Sequence, residues 1–118
     1  PAITLLTEPG ASFGGYAEFN ATAASGTFRI DVAALTDTYN LKVRYRTGPD
    51  RGRYQPSFNN VNLGGVIDAY AATAGYAEVD LGSVPVTANG AQQVKFVVSG
   101  KNAASSGYKI GIDRMTLT

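Results

Sequence analysis

Residues 39–46 read Tyr39-Asn40-Leu41-Lys42-Val43-Arg44-Tyr45-Arg46, and their alternation decides the fold. Tyr39, Leu41, Val43 and Tyr45 fall on one face of an extended chain. Asn40, Lys42, Arg44 and Arg46 fall on the other. A period of two marks a strand with one face on a core and one in water. The same alternation continues in both directions. Upstream, Phe28, Ile30 and Val32 alternate with Thr27, Arg29 and Asp31. Downstream, Val79 and Leu81 alternate with Glu78 and Asp80. Val94, Phe96 and Val98 alternate with Gln93, Lys95 and Ser99, although Val97 makes that polar face mixed. Phe28, Tyr39, Tyr45 and Phe96 keep phase with aliphatic residues and are assigned to the core.

Turn signals separate these runs. They include Glu8-Pro9-Gly10, Gly48-Pro49-Asp50, Asn59-Asn60, Gly64-Gly65, Ala88-Asn89-Gly90 and Ser105-Ser106-Gly107. Short strands with frequent turns predict an all-β, antiparallel β-sandwich or barrel. Eight or nine strands are expected, near 2–7, 16–20, 26–32, 39–46, 53–58, 61–67, 76–84, 91–99 and 108–117. Pro56 lacks an N–H to donate to a ladder, so it marks an edge strand or a bulge. Residues 67–74 read as a long connection with room for one helical turn. The last strand changes phase: Ile110 and Ile112 agree, but Met115 and Leu117 fall on the opposite parity. Either a bulge shifts the register near Asp113-Arg114, or Asp113 points inward and is satisfied there, a bound cation being one candidate partner.

Composition narrows the function classes. A chain of 118 residues fits a single domain spanning 1–118. Ten basic and nine acidic residues leave a net charge of +1, without the basic excess of a nucleic-acid binder. No apolar run approaches the ~18 residues of a membrane-spanning helix. Cysteine and histidine are both absent. That removes disulfides, thiol nucleophiles, the commonest general base and the commonest zinc ligand. Charged residues make up 16%, below the usual ~25%, so Thr, Ser, Asn, Gln and Gly must supply the surface. Such a composition is common in secreted β-proteins, and a secreted, extracellular, monomeric protein is expected. The chain opens on Pro1 and is read as a piece of a larger multidomain protein.

Catalysis finds no support in these residues. Two carboxylates could hydrolyse a glycosidic bond, but no pair among the nine is set apart, and no organic cofactor motif is present. Binding is the better reading. Tyr16, Tyr70, Tyr76 and Tyr108, with Phe13 and Tyr54, lie in or beside loops, where amphipathic rings suit a wet site. The loop from Gly100 to Tyr108 contributes Lys101 and Asn102. The loop from Thr47 to Arg53 contributes Asp50 and Arg51. Loops on a rigid sandwich are where binding residues concentrate. The alternative is a structural or adhesive spacer domain with no ligand of its own.

The stretches Asp37–Gly65 and Tyr76–Thr118 carry a resemblance. The Tyr-x-Leu-x-Val-x-Tyr strand with Arg44, the Leu81-Gly82 step and the closing Gly107-Tyr108-x-Ile-Gly-Ile-Asp strand resemble galactose-binding-like β-sandwich modules. The similarity is to carbohydrate-binding modules of families 6 and 35, over roughly residues 10–118. It implies a jelly-roll sandwich and a non-catalytic module that binds a polysaccharide or oligosaccharide and serves a secreted bacterial glycan-degrading enzyme through its attached catalytic domain. It places the glycan on loops 10–16, 47–53, 68–76 and 100–108, with Tyr rings stacking and Lys101, Asn102, Arg51 and Asp50 bonding to hydroxyls or uronate carboxylates. Relatives open on a Glu-x-Glu-like pair that helps hold a structural calcium ion. The corresponding candidates here are Glu8 and Asp113. Gly111 stands where family 6 often carries Asn, Asn59-Asn60 where relatives tend to have Asn-Gly, and no Trp precedes the seventh strand.

Overall fold

The computed structural model describes residues 3–7 and 15–118. Their elements are β1 (Ile3–Thr7), β2 (Gly15–Phe19), β3 (Thr27–Ala34), β4 (Asp37–Thr47), β5 (Arg53–Phe58), β6 (Val61–Asn62), β7 (Ile67–Asp68), β8 (Gly75–Val86), β9 (Gly90–Gly100) and β10 (Ile110–Leu117). No helix occurs among the described residues. Every strand pairing is antiparallel. One sheet has the order β1-β2-β10-β4-β8. The other runs β3-β9-β5-β6, with β7 also on β5. The expected all-β antiparallel sandwich is therefore the architecture.

The alternating faces meet between the sheets. Leu41, Val43 and Ile110 of the first sheet and Phe28, Tyr54, Val94 and Phe96 of the second are all 2% exposed or less. Phe96 anchors this core, with its ring 5.8 Å from Tyr54 and 6.3 Å from Phe28. Full burial of such side chains contributes about 1.5–3 kcal/mol each. Tyr54 departs from its expected place beside a loop. Its position on β5 points it inward, where alternation at Tyr54, Pro56 and Phe58 puts all three in the core.

Two bulges in the first sheet keep its long strands in phase with the core. On β10 the register against β4 shifts between Ile112 and Arg114, so Asp113 is the inserted residue and Met115 and Leu117 face inward again. The Asp113 side chain is also fully enclosed, with Arg44 Nη1 at 2.5 Å. The bulge is therefore the reading that holds: the carboxylate turns not to the core but to the Arg44 guanidinium on the outer face of the sheet. On β8 the shift opposite Leu41 and Lys42 inserts Leu81, and Gly82 takes φ +86°. Core residues there change spacing from Leu81 to Val84 accordingly.

β5 explains its own proline. β9 pairs along one side, and two short fragments share the other. β7 pairs with Arg53 and Tyr54, β6 with Ser57 and Phe58, and Pro56 falls in the gap. The Pro56 carbonyl accepts from Leu63 N–H, so the missing donor points toward that broken edge. The strand expected over 61–67 is split into β6 and β7 around Gly64-Gly65. Asn59 (φ +47°) and Asn60 (φ +69°) form the two-residue hairpin turn before β6. Asparagine tolerates the left-handed region this turn needs, so Gly is not required.

Candidate functional site

One end of the sandwich is built from three loops stitched together by backbone bonds. Residues 48–52 lie between residues 69–71 and 105–109. Gly48 N–H donates to the Ala69 carbonyl at 3.1 Å, and Ala71 N–H donates to the Gly48 carbonyl at 3.0 Å. On the other side, Ser106 N–H donates to the Pro49 carbonyl at 2.8 Å, Lys109 N–H to Asp50 at 3.2 Å and Gly52 N–H to Lys109 at 3.0 Å. The residues from Ile67 to Ala74 thus supply β7 and this clamp rather than a helical turn. The buried Ser105 hydroxyl lies 2.7 Å from the Arg51 carbonyl, which it reaches as a donor. Contact is so close that a Cβ at Gly107 would stand 2.9 Å from the Asp50 carbonyl oxygen, and one at Gly52 2.9 Å from that of Tyr108. Glycine is needed at both because two backbones touch.

Against this clamp lies an open groove of about 470 Å³, lined by Ala21, Thr22, Asp50, Ser106, Gly107, Tyr108 and Lys109. Its size falls within the range of small-ligand sites. Its charges form an alternating chain from the interior outward. Glu18 meets Arg51 at 2.6 Å, both nearly enclosed. Arg51 Nε lies 3.2 Å from Asp50 Oδ1, and Lys109 Nζ lies 3.4 Å from Asp50 Oδ2. Burial works against the Arg51 charge, but Glu18 and Asp50 outweigh it and hold the guanidinium pKa above the ordinary arginine value. Asp50 and Lys109 are the partly exposed members, at 34% and 39%.

Beside the groove, on the outer face of the first sheet, Tyr16 and Tyr76 meet edge to face at 6.2 Å. Arg44 and Arg46 stand 4.3 and 5.1 Å from the Tyr76 ring centroid. Arg51 stands 5.9 Å from that of Tyr16. Gly111 is in register with both Glu18 and Arg46, and a Cβ there would lie 2.6 Å from Arg46 Cβ and 3.2 Å from Arg51 Nη1. The space of an Asn at this position is therefore taken by arginine.

A third cluster forms around Asp68. Its carboxylate accepts from Asn102 Nδ2 at 3.0 Å, Arg53 Nε at 3.2 Å and the Tyr70 N–H at 3.1 Å. Burial alone would raise the Asp68 pKa, but these hydrogen bonds and the Arg53 charge prevail and hold it below the usual aspartate value. Lys101 Nζ donates to the Ser105 carbonyl at 2.9 Å.

The sequence-predicted residues thus divide three ways. Asp50 and Tyr108 line the groove. Arg51 and Tyr16, at 5% and 6% exposure, are buried outside the groove lining, Arg51 pairing with Asp50 and reaching the Tyr16 hydroxyl, while Tyr76 is packed with arginines. Lys101, Asn102 and Tyr70 belong to the cluster that braces the loops. Sequence reasoning missed Glu18, Lys109, Ala21, Thr22 and Ser106. Glu18 had a signal, since alternation along β2 puts it on the same face as Tyr16. Ser106 had one too, since it lies in the loop 100–108 already expected to face a ligand, whereas Thr22 had none. For the calcium ion, Glu8 lies outside the described residues. Among the described residues no group of three or more metal-ligating side chains forms, and the Asp113 carboxylate is engaged by Arg44.

No family model and no curated protein matches the chain. Solved structures do. A Paenibacillus xanthan lyase aligns over 99% of the chain with a TM-score of 0.90 and 28% identity, the aligned part being 11% of that protein. A Podospora anserina β-(1,4)-mannanase carrying a family 35 module aligns over 98% with a TM-score of 0.67 and 23% identity, again over a minor share of its length, 24%. A family 35 carbohydrate-binding module from an environmental isolate aligns over 98% with a TM-score of 0.65 and 18% identity, and the match covers 81% of that module. The chain therefore spans small parts of the two enzymes and most of the isolated module. Its fold is the galactose-binding-like β-sandwich shared by carbohydrate-binding modules of families 35 and 36.

Proposed function

We propose that this chain is a non-catalytic carbohydrate-binding module that targets a secreted bacterial glycan-degrading enzyme to its polysaccharide. The observation that carries the reading is the groove at the loop end, where Tyr108, itself half-buried against the core, and the Asp50–Lys109 pair line a surface built on a backbone clamp. An aromatic residue beside fixed donors and acceptors is the chemistry that binds a sugar. The fold likeness along nearly the whole length of the chain supports the same reading. The alignment with a small part of two polysaccharide-active enzymes supports attachment to a catalytic domain. Without His or Cys, and with Glu18, Asp50, Asp68 and Asp113 each held in ion pairs, the residues described favour binding over turnover.

Binding by one module is expected in the millimolar to micromolar range, since a wet polar site returns little net energy per hydrogen bond. Several copies on one enzyme, or on one chain of substrate, would raise this by avidity. The test is a glycan array combined with pull-down on insoluble polysaccharides, with and without chelator. Saturable binding that Tyr108→Ala abolishes, in a variant still folded by circular dichroism, supports the module. Silence across neutral and acidic glycans overturns it.

A spacer role has one observation in its favour. At another part of the surface, Ala33, Ala34, Leu35, Tyr39, Gly90 and Leu117 line a mainly apolar hollow, and Leu35 is 71% exposed. A neighbouring domain would bury such a surface. Glycan silence together with protection of Leu35 in a longer protein would favour that role.

A further inference from the structure

We propose that the groove selects an uncharged sugar ring bearing two adjacent hydroxyls and discriminates against rings that carry a carboxylate. This rests on reading the groove as the saccharide site. The charges around it balance. Lys109 is matched by Asp50, and behind them Arg51 is matched by Glu18. Arg51, the next cation in this ion-pair chain, is 5% exposed and already held between two carboxylates, and the Lys101 ammonium is spent on the Ser105 carbonyl. A uronate entering the groove would have to compete with Asp50 for Lys109 or lie against the Asp50 carboxylate. Like charges placed side by side weaken binding.

A diol suits the same pair. An ionised Asp offers about four acceptor positions on two oxygens, and a Lys ammonium three donors. Asp50 spends one contact on Arg51 and one on Lys109, and keeps acceptor capacity for a hydroxyl. Lys109 spends one donor on Asp50 and keeps others. One sugar hydroxyl donates to Asp50 while its neighbour accepts from Lys109. The Ser106 hydroxyl, exposed and only 3.3 Å from the Pro49 carbonyl, adds a further polar group. Because the 50 and 107–109 backbones are clamped together, the two charged side chains are preorganised and little ordering entropy is lost on binding.

The test is titration by calorimetry or NMR with methyl glycosides of mannose, galactose and glucuronic acid, at low and high salt. The neutral glycosides should bind with an affinity that salt barely changes, and the glucuronide about tenfold or more weakly. Asp50→Asn should weaken neutral binding while narrowing the gap to the glucuronide, because it removes the repelling charge. Lys109→Met, at a half-exposed position, should weaken neutral binding without loss of fold and serves if the Asp50 variant is unstable. Glucuronide bound as well as the neutral sugars, or affinity that falls steeply with salt, overturns the selectivity. Saturable neutral binding that neither variant alters overturns the Asp50–Lys109 assignment while the module reading stands. If the wild-type protein binds neither these probes nor any polysaccharide, both fail together.

Discussion

Buried charge sets the most consequential residue-level choices. Arg51 and Glu18 sit 2.6 Å apart with almost no water access. Removing one partner strands the other, which costs about 3–5 kcal/mol. Arg51→Met should therefore lower the unfolding free energy by that amount, seen as a fall in the urea midpoint much larger than for a surface Arg such as Arg29, whose pair with Asp31 is half exposed. An unchanged midpoint would mean that the ion pair is not closed in solution. Asp68 makes a pH-dependent contribution. Its folded pKa is lowered, so its hydrogen bonds stabilise the protein fully above the unfolded aspartate value of 3.8. That contribution fades as pH falls below this value and through the lowered folded pKa. Asp68→Asn should flatten the stability profile in this acidic range, as followed by urea unfolding at several pH values. Parallel profiles for both proteins would remove Asp68 as a source of the acid dependence.

Elements meet the ligand surface through the clamp between residues 48–52 and 105–109. The Ser105 side chain is the polar pin between them, 4% exposed and within reach of the Pro49, Arg51 and Gly107 carbonyls. Ser105→Ala leaves the Arg51 carbonyl, nearest to the hydroxyl at 2.7 Å, short of a donor, and the expected cost is about 1–3 kcal/mol. Hydrogen exchange should show the Ser106 and Lys109 amides opening more readily, with glycan affinity falling in step. Normal protection at both amides in the variant would show that the backbone bonds hold the loops without Ser105. The bulges act at the same scale. Asp113 and Leu81 each insert one residue, so that β10 and β8 return their apolar side chains to the core beyond the break.

At the scale of the whole molecule, the first sheet takes its strands from distant parts of the chain, with β10 between β2 and β4 and β4 beside β8. Loop closure must precede most of these pairings, so refolding in stopped-flow experiments should take milliseconds to seconds rather than microseconds. A microsecond phase carrying the full amplitude would contradict this. The fold class was legible in the residues, because alternation at 39–46, 27–32, 78–81 and 93–99 leaves apolar faces that a sandwich or a barrel of antiparallel strands would bury, and the resemblance pointed to the sandwich. Even the phase change near Asp113 was visible as a change of parity. The site was legible only in part. Tyr108 and Asp50 stood out as loop residues, but local sequence could not tell that Tyr54 would be in the core or that Arg51 would be enclosed by Glu18. Nor could it bring Ala21, Thr22 and Lys109 to one groove. Periodicity is a property of neighbours along the chain, and it determined the strands and their inward faces. Which loops meet, which charges pair and where a groove remains depend on contacts between residues far apart in sequence, and only the tertiary structure decided those.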